Sequence, residues 1–154
     1  MTILFAYDGS QEADGAIAAA KELLGHDDAD AVVVTVWEPL TVQAVRALSF
    51  GGPVAMPLDV AKEDAEAEAE ARELADHGAQ LARDAGFAAR AQAITDRENI
   101  AETVVATAEE LDADLIVLGA RGLAGVRAFL GSVSNHVLQH SKRPVLVVPG
   151  PTDA

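Results

Sequence analysis

A glycine-rich segment, Gly119-Ala-Arg-Gly122, is followed after the eight residues Leu123 to Leu130 by Gly131-Ser-Val-Ser134. Residues of these types in this order could cradle an anion. Glycine lets backbone N–H groups approach a ligand with no Cβ in the way. The unpaired N–H groups and positive dipole end of a following helix then favour negative charge. Hydroxyls at Ser132 and Ser134 either bond phosphate oxygens or cap that helix. Ordinary turn chemistry would account for the glycines alone. The pattern is neither a Walker loop, since no Gly-Lys-Ser/Thr occurs, nor the dinucleotide Gly-x-Gly-x-x-Gly. A phosphate site without the P-loop lysine points to binding rather than rapid phosphoryl transfer.

Other groups with chemical potential are fewer. Asp8, in Tyr7-Asp8-Gly9-Ser10, could ligate Mg²⁺ held by phosphates or accept a ribose hydroxyl; its simplest role is a turn carboxylate bonding its own backbone. Arg121 and Arg127 could touch phosphates or face solvent. His136 and His140, at i and i+4, could chelate a metal from one helical face. With no third ligand evident, they are expected to be surface or interface groups near a helix C-terminus, where a cation is favoured. No Gly-x-Ser-x-Gly elbow supports a Ser–His–Asp site. The chain has no cysteine, which excludes disulfides, thiol catalysis and Cys-based zinc sites.

The elements that would position these residues alternate. Residues 2–7 read as a strand, with Ser10 as N-cap of a helix that carries Ala13, Ile17, Ala20 and Leu24 on one face and stops at Gly25. Residues 31–36, Ala-Val-Val-Val-Thr-Val, form a β-branched run suited to a strand covered on both faces. Residues 38–57, with Gly51, Gly52, Pro53 and Pro57, show no clear period and read as a long loop. An acidic helix is expected over 59–85, with Val60, Ala67, Ala71, Leu74 and Leu81 as its buried stripe and Gly86 at its end. A weaker strand at 88–94 precedes a helix capped by Asp96 and carrying Ile100, Val104 and Leu111. A strand at 114–118 leads into the glycine segment. A helix at 132–141 and a strand at 144–148 close the chain. This alternation implies a parallel sheet with right-handed crossovers and helices on both faces. In such sheets ligands sit at the carboxyl ends of strands where the strand order reverses, so the Asp8 and Gly119 turns should meet.

Composition bounds the function. With 154 residues one domain is expected, and 4% aromatic content leaves a core of Ala, Val, Leu and Ile. A net charge of −14 with scattered basic residues argues against nucleic acid; it fits a well-solvated or salt-adapted surface. No apolar run is long enough for a membrane span and no signal-peptide pattern opens the chain, so the expected location is cytoplasmic.

The glycine segment with Gly131-Ser-Val-Ser134, the preceding Asp114-Leu-Ile-Val-Leu-Gly119, the closing Arg143-Pro-Val-Leu-Val-Val-Pro149 and the opening Ala6-Tyr-Asp-Gly-Ser10 resemble universal stress proteins. The resemblance covers essentially the whole chain, here residues 1–150, with 151–154 as a short tail. It implies an α/β three-layer sandwich of the adenine-nucleotide α-hydrolase-like class, with five parallel strands in the order 3-2-1-4-5. It also implies a homodimer, often paired through the last strand, here Val145, Leu146, Val147 and Val148; an exposed apolar edge is a liability unless paired. In the ATP-binding branch the nucleotide lies between the first and fourth strands. By motif, Ala6 and Asp8 then fall in the first-strand turn, with Asp8 near ribose or Mg²⁺. Val36 falls beside adenine, and Leu118, Gly119 and Gly122 in the phosphate loop. Gly131, Ser132, Val133 and Ser134 fall where phosphates and ribose are held. The implied function is an ATP-binding stress-response protein, with AMP or ADP as related ligands and at most slow ATP hydrolysis. Two departures stand out: the family usually places nine residues where Leu123 to Leu130 stand, and often serine where Ala120 stands. The shorter loop motivates an alternative, a nucleotide-free protein-interaction module of the same fold. An adenylate-forming or electron-transfer relative lacks support, because Asp8-Gly-Ser-Gln-Glu12 is a poor substitute for Ser-Gly-Gly-x-Asp-Ser.

Overall fold

The computed structural model describes residues 1–25, 27–54, 56, 58–120 and 131–150. Five strands, β1 (Thr2–Ala6), β2 (Asp30–Trp37), β3 (Ala88–Thr95), β4 (Leu115–Ala120) and β5 (Val145–Pro149), form one sheet in the order β3-β2-β1-β4-β5. Every pairing is parallel. The helices are α1 (Gln11–Leu24), α2 (Leu40–Ser49), α3 (Val60–Asp84), α4 (Ile100–Glu110) and α5 (Ser132–His140). Among the described residues no helix is long and apolar enough to cross a membrane.

Period-two alternation along the strands divides the core. Ile3, Phe5, Ala31, Val33 and Val117 face one side with Ala13, Ile17 and Ala20 of α1 and Ala79 and Ala82 of α3. Leu4, Val32, Val34, Ile116 and Leu118 face the other with Val104 and Ala108 of α4 and Val137 of α5. Each fully buried Ile, Leu or Phe of these sets contributes on the order of 1.5–3 kcal/mol. The three-layer sandwich and its strand order agree with the expectation.

Several local expectations are corrected. Residues 38–57 are not a continuous loop, because they contain α2. None of its residues is buried, so its apolar positions do not mark a core-facing side. Polar anchors hold it instead: the Leu40 N–H donates to Asp64 Oδ1 at 2.8 Å. Arg46 pairs with Glu38, with Asp96 and with the Glu98 carbonyl oxygen. The cap of α4 is Asn99, whose side chain accepts from the Glu102 N–H; Asp96 is buried and bonded to Arg46 and Thr103. On α3 the buried residues are Ala71, Ala75, Gly78, Ala79 and Ala82. Small side chains are required there because a Cβ on Gly78 would meet the Tyr7 ring and Val33 at 2.8 Å. Leu74, read as core, is 37% exposed.

α1 behaves as read. Ser10 accepts from the Ala13 N–H, and Gly25 closes the helix at φ 59°, a left-handed turn that suits glycine. β5 forms one edge of the sheet.

Candidate functional site

Strand order reverses beside β1: the chain steps from β1 to β2 on one side and later to β4 on the other. A cavity of about 760 Å³ opens at the carboxyl ends of these three strands, within the ~300–1,000 Å³ range usual for small-molecule sites. β1 and its turn contribute Ala6, Tyr7, Asp8 and Ser10, and β2 contributes Val34, Thr35 and Val36. β4 contributes Leu118 and Gly119, and the start of α5 contributes Gly131, Ser132, Val133 and Ser134. Leu74 of α3 with Ile100 and Val104 of α4 adds apolar surface.

The polar groups of the cavity are largely fixed. Asp8 Oδ1 accepts from the Ser10 N–H at 3.0 Å, the turn bond open to any such carboxylate. Thr35 Oγ1 donates to the Tyr7 carbonyl oxygen at 2.9 Å. Ser134, 3% exposed, donates its hydroxyl to the Gly119 carbonyl oxygen at 3.1 Å and so ties α5 to β4. The N-termini of α1, α3 and α4 each receive a side-chain cap. α5 begins at Gly131 with no side-chain cap, and this end lines the cavity. The lining described contains no Lys, Arg or His. What the described lining offers an anion is main-chain amides, hydroxyls and the helix dipole.

Gly119 belongs to β4 rather than to a turn, in register with Val148. A Cβ at this position would lie 2.6 Å from the Glu12 carbonyl carbon and 2.8 Å from its oxygen. Glycine is thus demanded by the close approach of α1, independently of any ligand.

Tyr7 is buried, and its hydroxyl donates to Asp14 Oδ1 at 2.6 Å. Burial, the bond to Asp14 and the negative charges of Asp14 and Asp8 all push its pKa well above the ordinary tyrosine value. The folded state therefore favours the neutral phenol. This stabilisation is complete below the unfolded tyrosine value of about 10. Above it the unfolded chain ionises first, and stability falls by up to about 1.4 kcal/mol per pH unit. Tyr7→Phe should remove this alkaline slope. Urea unfolding from about pH 8 to about pH 11 would check it; parallel stability profiles for the two proteins would refute it.

Of the residues singled out in the sequence, Ala6, Asp8, Val36, Leu118, Gly119, Gly131, Ser132, Val133 and Ser134 all line this cavity. Gly122, Arg121, Arg127 and the tail 151–154 lie outside the described residues. The sequence reading missed Tyr7, Thr35, Leu74 and Ile100 as lining. Thr35 carried a signal, a hydroxyl near the carboxyl end of a buried strand. Leu74 and Ile100 carried none, because an apolar residue at helical spacing reads as core. His136 and His140 do face one another, and Glu102 joins them, a partner invisible in local spacing.

The family model described as Universal stress protein family matches residues 1–149. A Synechocystis sp. protein, Universal stress protein Sll1388, is 55% identical over 42 residues, a match spanning 27% of each chain. A solved structure of a universal stress protein family member from Burkholderia pseudomallei has 28% identity, covers 97% of this chain and 96% of its own, and superposes with a TM-score of 0.69. An Arabidopsis thaliana universal stress protein family protein, At3g01520, was solved with AMP bound. It has 16% identity, covers 99% of this chain and 94% of its own, and gives a TM-score of 0.69.

Proposed function

The chain belongs to the universal stress protein family, and we propose that its cavity binds an adenine nucleotide, ATP in the first place, in a nucleotide-responsive homodimer. The observation carrying this reading is the junction of a 760 Å³ cavity with the uncapped N-terminus of α5. Adenine would lie beside Val36, with Val34, Ile100 and Val104 as apolar surface. The phosphates would take the amides of Gly131, Ser132 and Val133, with Gly122 assigned to the phosphate loop by motif alone. Asp8 would accept a ribose hydroxyl or hold Mg²⁺ against the phosphates, near Ala6, Leu118 and Gly119. The AMP-bound Arabidopsis relative supports an adenine ligand. The glycine segment carries no P-loop Gly-Lys-Ser/Thr, which favours binding and release, with at most slow hydrolysis.

Ser132→Asp tests this without risk to the helix. A carboxylate at a helix N-terminus favours the helix but repels phosphate. Calorimetric titration should show ATP binding to the wild type and at least about tenfold weaker binding to the variant, some 1.4 kcal/mol. No heat in either protein would leave a nucleotide-free interaction module as the function. Equal heats would move the phosphates elsewhere.

The dimer would form through β5, whose outer edge has no partner strand among the described residues. Sedimentation velocity at micromolar concentration should give twice the 15.9 kDa chain mass. A single 15.9 kDa species would remove the dimer from the account.

A further inference from the structure

We propose that Glu102, His136 and His140 bind one first-row transition-metal dication, with Zn²⁺ as the reference occupant. Glu102 stands in the first turn of α4, while His136 and His140 lie one turn apart on α5. One ligating atom from each lies within 4.8 Å of the other two. His136 Nε2 is 2.7 Å from Glu102 Oε1, and the two imidazoles stack with centroids 4.0 Å apart. Ligands about 2.0–2.1 Å from a tetrahedral metal sit roughly 3.3 Å apart. The present cluster therefore needs only side-chain rotation to close on an ion.

Orientation supports the same conclusion. His140 Nδ1 is 2.9 Å from the His136 carbonyl oxygen. With Nδ1–H donating there, Nε2 of His140 keeps its lone pair for a metal, the second-contact arrangement typical of ligating histidines. A bare His136–Glu102 ion pair makes no use of a second imidazole; a chelate does. Two nitrogens and one carboxylate oxygen suit zinc, copper or nickel rather than Mg²⁺ or Ca²⁺, which take oxygen shells. Water would fill the fourth position. The chain's charge of −14 further favours a cation. The site is separate from the nucleotide reading, although Val104 of α4 and Ser132 of α5 belong to helices that line the cavity.

Calorimetric titration of chelator-treated protein with zinc chloride should give one equivalent at micromolar or tighter affinity. Glu102→Gln and His140→Ala should each weaken binding at least about tenfold, since even the loss of an outer-shell partner of a metal ligand costs about 10–100-fold. His77→Ala, on α3, should leave it unchanged. Zinc should also raise the thermal midpoint of the wild type but not of His140→Ala. His140 is exposed, so that variant should fold; if it does not, Glu102→Gln and the visible bands of tetrahedral Co²⁺ in the wild type carry the test. No uptake by the wild type at about 100 μM zinc, ten or more times the expected dissociation constant, would overturn the proposal. So would variants that titrate like the wild type, since zinc would then sit on other carboxylates.

Discussion

Replacing Gly119 by valine should destabilise the protein by about 2–3 kcal/mol, the upper part of the range for overpacking a tight interface. The new Cβ would press on the Glu12 carbonyl carbon at 2.6 Å and its Cβ at 2.8 Å. Two of the three close atoms are backbone, so no rotamer change relieves them. α1 must move, and its start carries Ser10 and Ala13 of the cavity lining. Urea unfolding should show the loss, and nucleotide affinity should fall with it. Gly15→Ala is the matched control on the same helix. Nothing lies within 4 Å of its added Cβ, so the exposed helical site should gain roughly 0.5–1 kcal/mol. A variant at 119 as stable as the wild type would mean that α1 and β4 are not held at this distance in solution.

Arg46→Ala should cost about 1.5–3 kcal/mol, the range for hydrogen bonds to charged groups. The Asp96 side chain is 1% exposed. Arg46 Nη1 at 3.2 Å is its cationic partner, alongside Thr103 Oγ1 at 3.3 Å. Removing the guanidinium leaves a buried carboxylate short of a donor and cuts α2 from Glu38 and the Glu98 carbonyl oxygen. Because α2 buries none of its residues, little apolar contact remains to hold it. Amide exchange over residues 40–49 should accelerate while the sheet stays protected. A double-mutant cycle with Asp96→Asn should show coupling. Additive effects would mean that the two side chains do not share one interaction.

The legible features were those in which local chemistry and burial agree. β1, β2 and β4 announced themselves as apolar or β-branched runs because both their faces are covered. Ser10 and Gly25 marked the ends of α1 because a cap and a left-handed turn have narrow chemical solutions. α2 was illegible for a different reason: none of its residues is buried, and its anchors join Leu40 to Asp64 and Arg46 to Asp96, contacts between residues distant in the chain. Asp96 looked like a cap because Asp usually is one, yet a guanidinium fifty residues earlier draws it into the interior.

By itself, then, the sequence determined the alternating architecture, the family, and the residues that would crowd the carboxyl ends of β1 and β4, because strand alternation and glycine–serine patterning are local consequences of backbone sterics. Tertiary structure decided the rest. It showed that Gly119 is needed by the approach of Glu12, and that the Ser134 hydroxyl is spent on the Gly119 carbonyl. It turned Leu74 and Ile100 into cavity surface and brought Glu102 to the paired histidines. Each of these depends on the distance between residues far apart in the chain, which the packing of α1, α4 and α5 on the sheet sets and no local pattern encodes.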